Sequence, residues 1–169
     1  MITNNMQKAF LAQINKELFS EYLYLSMKAY FANLNLKGFV NWLSIQVQEE
    51  HAHAMGMFDY IIERGGTIEL EAIEKPKCSW SSPLEAFKDV VAHEQYITSQ
   101  INELYDVADS EKDRAAQLFL NWYIKEQVEE EASAGDILAH LELIKDDTKA
   151  LLDLDKELAT RVFNPPIIG

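Results

Sequence analysis

The sequence predicts an all-α protein, a four-helix bundle with a long crossover between its second and third helices and a short fifth helix. Apolar residues recur at three- and four-residue intervals throughout the chain, and no strand-like alternation lasts more than a few positions. Only six Gly and four Pro occur among the 169 residues, so the composition permits long uninterrupted helices. Each of the four long helices also places one Glu on its apolar face.

The first two helices are expected over residues 4–33 (helix A) and about 37–64 (helix B). Their apolar residues share one face at helical spacing, and Gly65-Gly66 provides the stop after helix B. The link between the two helices is short, which predicts an antiparallel hairpin. Residues 65–82 follow as a segment poor in helix-forming residues.

Helix-start motifs mark the beginning of the third and fourth helices. Ser82-Pro83-Leu84-Glu85 forms a capping box with proline at the first helical position, and helix C continues to about Asp109. Ser110-Glu111-Lys112-Asp113 is expected to start helix D, which continues to about Lys145. A fifth helix is expected over about 148–162, before Pro residues stop it.

The length of the link between helices B and C predicts the topology. Its 18 residues (65–82) span roughly 60 Å when extended, whereas a 27-residue helix is only about 40 Å long. The link can therefore run the length of the bundle and start helix C parallel to helix B. We expect one domain over residues 1–169, with the bundle at 4–145.

Composition and charge exclude several classes of protein. The formal net charge of −13 disfavours nucleic acid as a partner and favours cations. The single Cys78 excludes a disulfide framework and cysteine-rich metal sites within one chain. No run of 18 apolar residues and no signal-peptide pattern is present, so we expect no membrane span and a cytoplasmic location.

Four carboxylates point towards the predicted core. At 100° per residue, Glu50 lies within about 20° of the apolar residues that mark the inner face of helix B. Glu17, Glu94 and Glu130 lie equally among the apolar residues of helices A, C and D. His53 follows Glu50 by one turn.

An uncompensated buried carboxylate costs several kcal/mol, and a domain is stable by only about 5–15 kcal/mol. No Lys or Arg on the same faces offers an obvious partner. Bound cations would satisfy all four carboxylates, whose combined charge of −4 matches two divalent ions. Oxygen ligands with one imidazole suit Fe(II), Mn or Zn and do not suit copper.

These residues resemble the ferroxidase centre of bacterial non-haem ferritins, and the similarity covers essentially the whole chain. The matching motifs are Glu17 and Tyr24 on helix A, Glu49-Glu50-x-x-His53 on B, Glu94 on C, and Glu126-Gln127-x-Glu129-Glu130 on D. The resemblance implies a ferritin-like shell of 24 subunits that oxidises Fe(II) with O2 or H2O2 and deposits ferric oxyhydroxide inside.

The resemblance also implies a role for each of these residues. One iron is expected on Glu17, Glu50 and His53, with Glu50 bridging, and a second on Glu94 and Glu130, with Gln127 close by. Tyr24 is expected beside a ligand, either as packing or as an electron donor. The remaining acidic residues are expected to form a third iron site together with Glu130: Glu49, Glu126 and Glu129.

Departures from related families exclude other cofactors. Bacterioferritins carry a second Glu-x-x-His on the fourth helix and a haem-binding Met after the bridging Glu, whereas this chain has Glu129 and His51 there. We therefore expect no haem. His51, His93 and His140 fall off the core faces and are expected at the surface.

Two other functions remain open at this point. A carboxylate-bridged di-iron oxidase or peroxidase acting on an organic substrate would need a cavity beside the metals, and the faces here carry large side chains. A non-catalytic helical scaffold would bind no metal. The leucines of the fifth helix need burial, which favours contact with other subunits.

Overall fold

The computed structural model describes residues 1–168, and within them it contains helices and no strand. The helices follow one another as α1 (Asn4–Asn33), α2 (Lys37–Glu63), α3 (Pro83–Ser110), α4 (Arg114–Ile144) and α5 (Thr148–Leu158). The all-α prediction is confirmed, and the bounds of the first three helices agree with it to within one residue.

The ends of the helices are fixed by local hydrogen bonds. The Ser82 side chain accepts a hydrogen bond from the Glu85 backbone N–H, as the capping box predicts. Glu85 accepts its return bond from the backbone N–H of Ser81 (2.7 Å), one residue earlier than the motif implies. At the end of α2, Gly65 adopts a φ of 72°, a left-handed conformation that glycine takes without strain.

The start of the fourth helix differs from the prediction. Ser110 is the last residue of α3, and Asp113 is the N-cap of α4, where its side chain accepts from the Ala116 N–H. Between them Lys112 has a φ of 56°, which turns the chain back on itself. A carboxylate at the N-cap satisfies a free helix N–H, so α4 begins later than the sequence pattern indicates.

Residues 65–82 run along α1 from one end of the bundle to the other. The Gln7 side chain on the first turns of α1 accepts from the Thr67 N–H (3.0 Å), and Ser26 donates to the Lys77 carbonyl (2.7 Å). Trp80 then packs against Tyr30 near the end of α1. This path places the start of α3 beside the start of α2, so the two helices are parallel, as the loop length predicts.

The fifth helix packs on the start of α2. Leu36 provides no side-chain cap for α2, and the Asp155 carboxylate of α5 accepts from the N–H groups of Gly38 (2.7 Å) and Phe39 (3.0 Å) instead. A Cβ on Gly38 would lie 1.5 Å from the Asp155 carbonyl oxygen, so only glycine fits at this contact.

The fifth helix ends at Leu158, before the predicted end at Val162. Asn41 of α2 donates to the carbonyl oxygens of Leu158 (3.1 Å) and Arg161 (3.0 Å), which turns the chain along α2. Among residues 1–168, no helix has the length and apolarity needed to cross a membrane.

Two apolar clusters fill the bundle and leave a polar layer between them. One contains Phe31 and Phe39, whose rings stack at 4.7 Å, and the other contains Phe10, against which the rings of Tyr60 and Phe119 pack. Every long helix contributes to both clusters. The buried polar residues lie where each helix passes from one cluster to the other, namely Gln13, Glu17, Ser20, Gln46, Glu50, His53, Glu94, Gln127 and Glu130.

Candidate metal centre

The four Glu residues assigned to the core are all buried in this polar layer. Glu17, Glu50 and Glu94 are at most 2 % exposed, and Glu130 is 4 % exposed. His53 is buried beside them. Helical periodicity therefore placed each side chain on the correct face.

Three ligand atoms converge between α1 and α2. One atom each from Glu17, Glu50 and His53 lie within 4.8 Å of one another. His53 follows Glu50 by one helical turn, and its Nδ1 lies 3.5 Å from Glu50 Oε2. The Tyr123 hydroxyl donates to the His53 carbonyl oxygen (2.9 Å), which ties this turn of α2 to α4.

A second group shares the same imidazole. His53, Glu126 and Glu130 also offer ligand atoms within 4.8 Å of one another. Glu126 is half-buried, so this group opens towards the surface of the bundle. The structure thus brings the histidine between two sets of carboxylates.

Glu94 belongs to neither group and is held by hydrogen bonds from two other helices. The Tyr24 hydroxyl donates to one carboxylate oxygen, and Gln127 Nε2 donates to the other (3.2 Å). These contacts bring Tyr24 and Gln127 beside the carboxylates, where the resemblance expects them. Their roles towards a metal stay predictions.

Some of the buried ligand atoms have no hydrogen-bond partner, which is what a cation site without its ion requires. Glu17 Oε2, Glu50 Oε2 and His53 Nε2 are buried without any hydrogen-bond partner. An unsatisfied buried polar group costs about 1–3 kcal/mol, and more if it is charged. All three atoms come from the first group of ligands, and two oxygens with one imidazole nitrogen are donors that Fe(II), Mn or Zn accepts.

Burial shifts the ionisation of these carboxylates towards the protonated form. Burial, and then the negative charges of Glu94 and Glu17, hold the pKa of Glu50 well above its usual value. Burial also raises the pKa of Glu94 to about 7, and burial with the charge of Glu94 raises that of Glu130 to about 8. Without a cation the layer therefore holds protons near neutral pH.

Two buried amides that sequence reasoning missed orient these carboxylates. Gln13 donates to Glu17 Oε1 (2.8 Å), and Gln46 donates to Glu130 Oε2 (2.8 Å). Gln13 precedes Glu17 by four residues, and Gln46 precedes Glu50 by four. An amide one turn before a core Glu on the same face was the signal that could have identified both.

The three auxiliary acidic residues differ from one another. Glu129 is exposed, and Glu126 and Glu49 are half-buried. Glu49 forms an ion pair with Arg161, whose guanidinium lies 2.8 Å from it. Arg161 follows α5 and was not anticipated, because no helical face links it to the site.

The prediction for one of the other histidines is wrong. His93 is half-buried between α1 and α3, where its ring hydrogen-bonds with Ser20 (2.7 Å) and packs against Phe19. Burial lowers the pKa of His93 to about 4. His51 and His140 are exposed, as expected.

Comparison with known proteins identifies the family of the chain. The ferritin-like domain family matches residues 7–144. The chain is 40 % identical over 161 residues to the bacterial non-haem ferritin of Bacteroides fragilis strain 638R, covering 95 % of this chain and 100 % of that protein. It is 39 % identical to the bacterial non-haem ferritin of Staphylococcus aureus strain MRSA252 over 164 residues, covering 97 % of this chain and 99 % of that one.

Solved structures of an archaeal ferritin are similar over nearly the same length. An open-pore ferritin from Archaeoglobus fulgidus is 53 % identical, with a TM-score of 0.94 over 96 % of this chain and 100 % of that one. A closed form engineered from that ferritin gives 53 % identity and a TM-score of 0.95, covering 97 % and 100 % of the two chains. Because the match spans the bundle, the crossover and the fifth helix, the chain belongs to the ferritin family.

Proposed function

We propose that this chain oxidises Fe(II) to Fe(III) at a dinuclear carboxylate centre and stores the ferric product inside a hollow protein shell. Iron storage with ferroxidase activity is the general function of ferritins. The observation that carries the proposal is the convergence of three unpartnered, buried ligand atoms from Glu17, Glu50 and His53.

The four core carboxylates divide between two iron ions in this proposal. Glu17, Glu50 and His53 bind one ion. Glu50 lies between both positions and bridges, while Glu94 and Glu130 bind the second ion. The hydrogen bond from Gln127 to Glu94 orients that ligand. Four carboxylates neutralise two divalent cations, so the filled centre leaves no large net charge in the protein interior.

The reaction balances with either oxidant. Two Fe(II) ions give up one electron each, and the two electrons reduce H2O2 with two protons to two molecules of water. With O2 as the acceptor, two electrons and two protons give H2O2. The carboxylates supply protons to the site, since metal binding displaces protons from the groups whose pKa values burial has raised.

The region around the centre is packed by large side chains, which disfavours an organic substrate. Trp122 lies edge-on to His53 with ring centroids 5.5 Å apart, and Tyr123 packs against both rings. Tyr24 is also fully buried, and its hydroxyl donates to Glu94. We propose that Tyr24 positions this ligand. When an Fe(II) ion at the third site gives up one more electron, Tyr24 supplies a fourth, so that four electrons and four protons reduce O2 to two molecules of water.

Further parts of the proposal follow from the family. The whole chain acts as a single domain, 24 copies assemble into a cytoplasmic shell, and the centre is free of haem, so the purified protein should show no Soret band. Glu49, Glu126 and Glu129 with Glu130 provide a third iron site that holds its ion only loosely. Support for assembly comes from large apolar side chains left exposed on single chains: Tyr22, Leu25, Leu118, Val128 and Leu143.

The decisive experiment adds Fe(II) to metal-free protein in air and follows ferric absorbance, then measures the iron held per particle. Glu94→Gln should lose fast oxidation, while Glu103→Gln, an exposed Glu on the same helix, should retain it. Hundreds of ions per particle would support storage, whereas about two per subunit would indicate a di-iron enzyme of another kind. No uptake would indicate a scaffold.

A further inference from the structure

We propose that the guanidinium of Arg161 forms an ion pair with Glu49 and thereby opposes binding of a third metal ion beside the dinuclear centre. This proposal rests on the proposed function, because it concerns an ion additional to the two in the core. It assigns a specificity-determining role to a residue outside the four-helix bundle.

The backbone of Arg161 is fixed against α2. Its carbonyl oxygen accepts from the Asn41 side chain, which also binds the carbonyl of Leu158. Earlier in the chain, on α5, Asp155 caps the first turn of α2. These contacts hold the turn after α5 beside α2, within reach of the centre.

The Arg161 guanidinium contacts one carboxylate, one amide and one aromatic ring. Nη2 donates to both carboxylate oxygens of Glu49, at 2.8 Å and 3.1 Å, and Nη1 donates to Gln46 Oε1 at 2.5 Å. The planar group also lies over the Trp42 ring, 5.1 Å from its centroid. The Arg161 side chain is only 27 % exposed and that of Glu49 15 %, so the pair is partly shielded from water.

The same arginine is linked to a core ligand through one amide. Gln46 accepts from Arg161 with its oxygen and donates to Glu130 Oε2 (2.8 Å) with its nitrogen. Arg161 therefore fixes which way the Gln46 amide points. Glu130, in turn, belongs to the ligand group that contains His53 and Glu126.

An incoming ion at that outer group would compete with Arg161. A third ion needs the oxygens of Glu49, and both of them accept from the guanidinium. A divalent ion would therefore meet an occupied ligand and a like charge, and it must displace Arg161 to bind.

The test counts bound ions without any redox reaction. Zn²⁺ is titrated into metal-free assembled protein and followed by calorimetry, for the wild type and for Arg161→Gln. The wild type should bind about two ions per subunit tightly, as a dinuclear centre does. Arg161→Gln should bind a third ion roughly tenfold to a hundredfold more tightly than the wild type, the range expected for removing a hydrogen-bonded charge pair.

Three further variants separate a direct role from a structural one. Arg161→Lys keeps the charge without the planar fork and should give an intermediate affinity for the third ion. Arg161→Gln combined with Glu49→Gln should lose the gain. Arg64→Gln breaks a comparable pair with Asp113, 2.8 Å long, at the C-terminal end of α2, and should leave metal binding unchanged.

The outcomes distinguish this proposal from the proposed function. Equal third-ion affinity in folded Arg161→Gln and wild type would overturn the role of Arg161 and leave the dinuclear centre standing. A wild type that already binds three ions tightly, one of them lost in Glu49→Gln, would overturn it as well. A wild type that binds no Zn²⁺ would refute the dinuclear centre and the Arg161 proposal together.

Discussion

Replacing Glu130 by Gln should stabilise the metal-free protein, and the gain should increase with pH. The Glu130 carboxyl is buried, and burial together with the charge of Glu94 raises its pKa from 4.5 to about 8. The folded state thus keeps this proton to higher pH than the unfolded chain does. The contribution of this protonated carboxyl to the free energy of unfolding is fully present below about pH 4.5. It is lost as the pH rises through about 8.

The size of the effect follows from the difference between the two pKa values. One pKa unit corresponds to about 1.4 kcal/mol, so ionising Glu130 fully costs the folded state about 5 kcal/mol. Between pH 5 and pH 8 the loss in free energy of unfolding is about 3–4 kcal/mol. For a chain of this size that loss lowers Tm by roughly 10 °C. Glutamine avoids the loss, and its oxygen can still accept from Gln46.

The assay is thermal unfolding of metal-free protein from pH 5 to pH 8, for the wild type, Glu130→Gln and Glu129→Gln. Glu129 lies next to Glu130 on α4 but is exposed, so its replacement controls for the loss of one negative charge. Tm of the wild type and of Glu129→Gln should fall together, and Tm of Glu130→Gln should fall less. Parallel curves for all three proteins would refute the reasoning.

Three other predictions use the same structure. Glu50→Ala should abolish fast Fe(II) oxidation without lowering Tm, because it removes a buried carboxyl group with an unsatisfied oxygen; near-normal oxidation would exclude a bridging role. Glu129→Ala should change the number of Fe(II) ions oxidised per O2 while Glu94→Ala stops fast oxidation, and oxygen consumption that is equally lost in both would contradict the division into core and outer ligands. Gly38→Ala should lower the free energy of unfolding by about 1–3 kcal/mol, since its Cβ meets a carbonyl of α5. Gly135→Ala, with nothing within 4 Å, is the control in denaturant unfolding.

The features that the sequence predicted are those that depend on neighbours along the chain. Helical periodicity alone placed Glu17, Glu50, Glu94 and Glu130 on buried faces, because a helix fixes the direction of every side chain relative to its neighbours. The length of residues 65–82 was sufficient to predict the crossover. Both inferences use distances within one segment.

The features that it missed depend on contacts between distant segments. Asp155 caps α2 from 117 residues away, and Arg161 reaches Glu49 across a separation of 112 residues. His93 is covered by α1, which a helical wheel of α3 alone does not reveal. Each of these contacts requires the position of one helix relative to another, which periodicity within one helix does not determine.

The polar layer reconciles a stable metal-free fold with a site that is ready for cations. Three amides and one hydroxyl bind oxygens of Glu17, Glu94 and Glu130, and these donors keep the carboxylates oriented. Glu50 receives none of these bonds, and its raised pKa means that a proton neutralises it instead. When two divalent ions enter, they replace protons instead of adding charge to a buried site. The cost of burying four acidic groups is thus held low in both states, and the apolar clusters on either side of the layer can stabilise the bundle with or without iron.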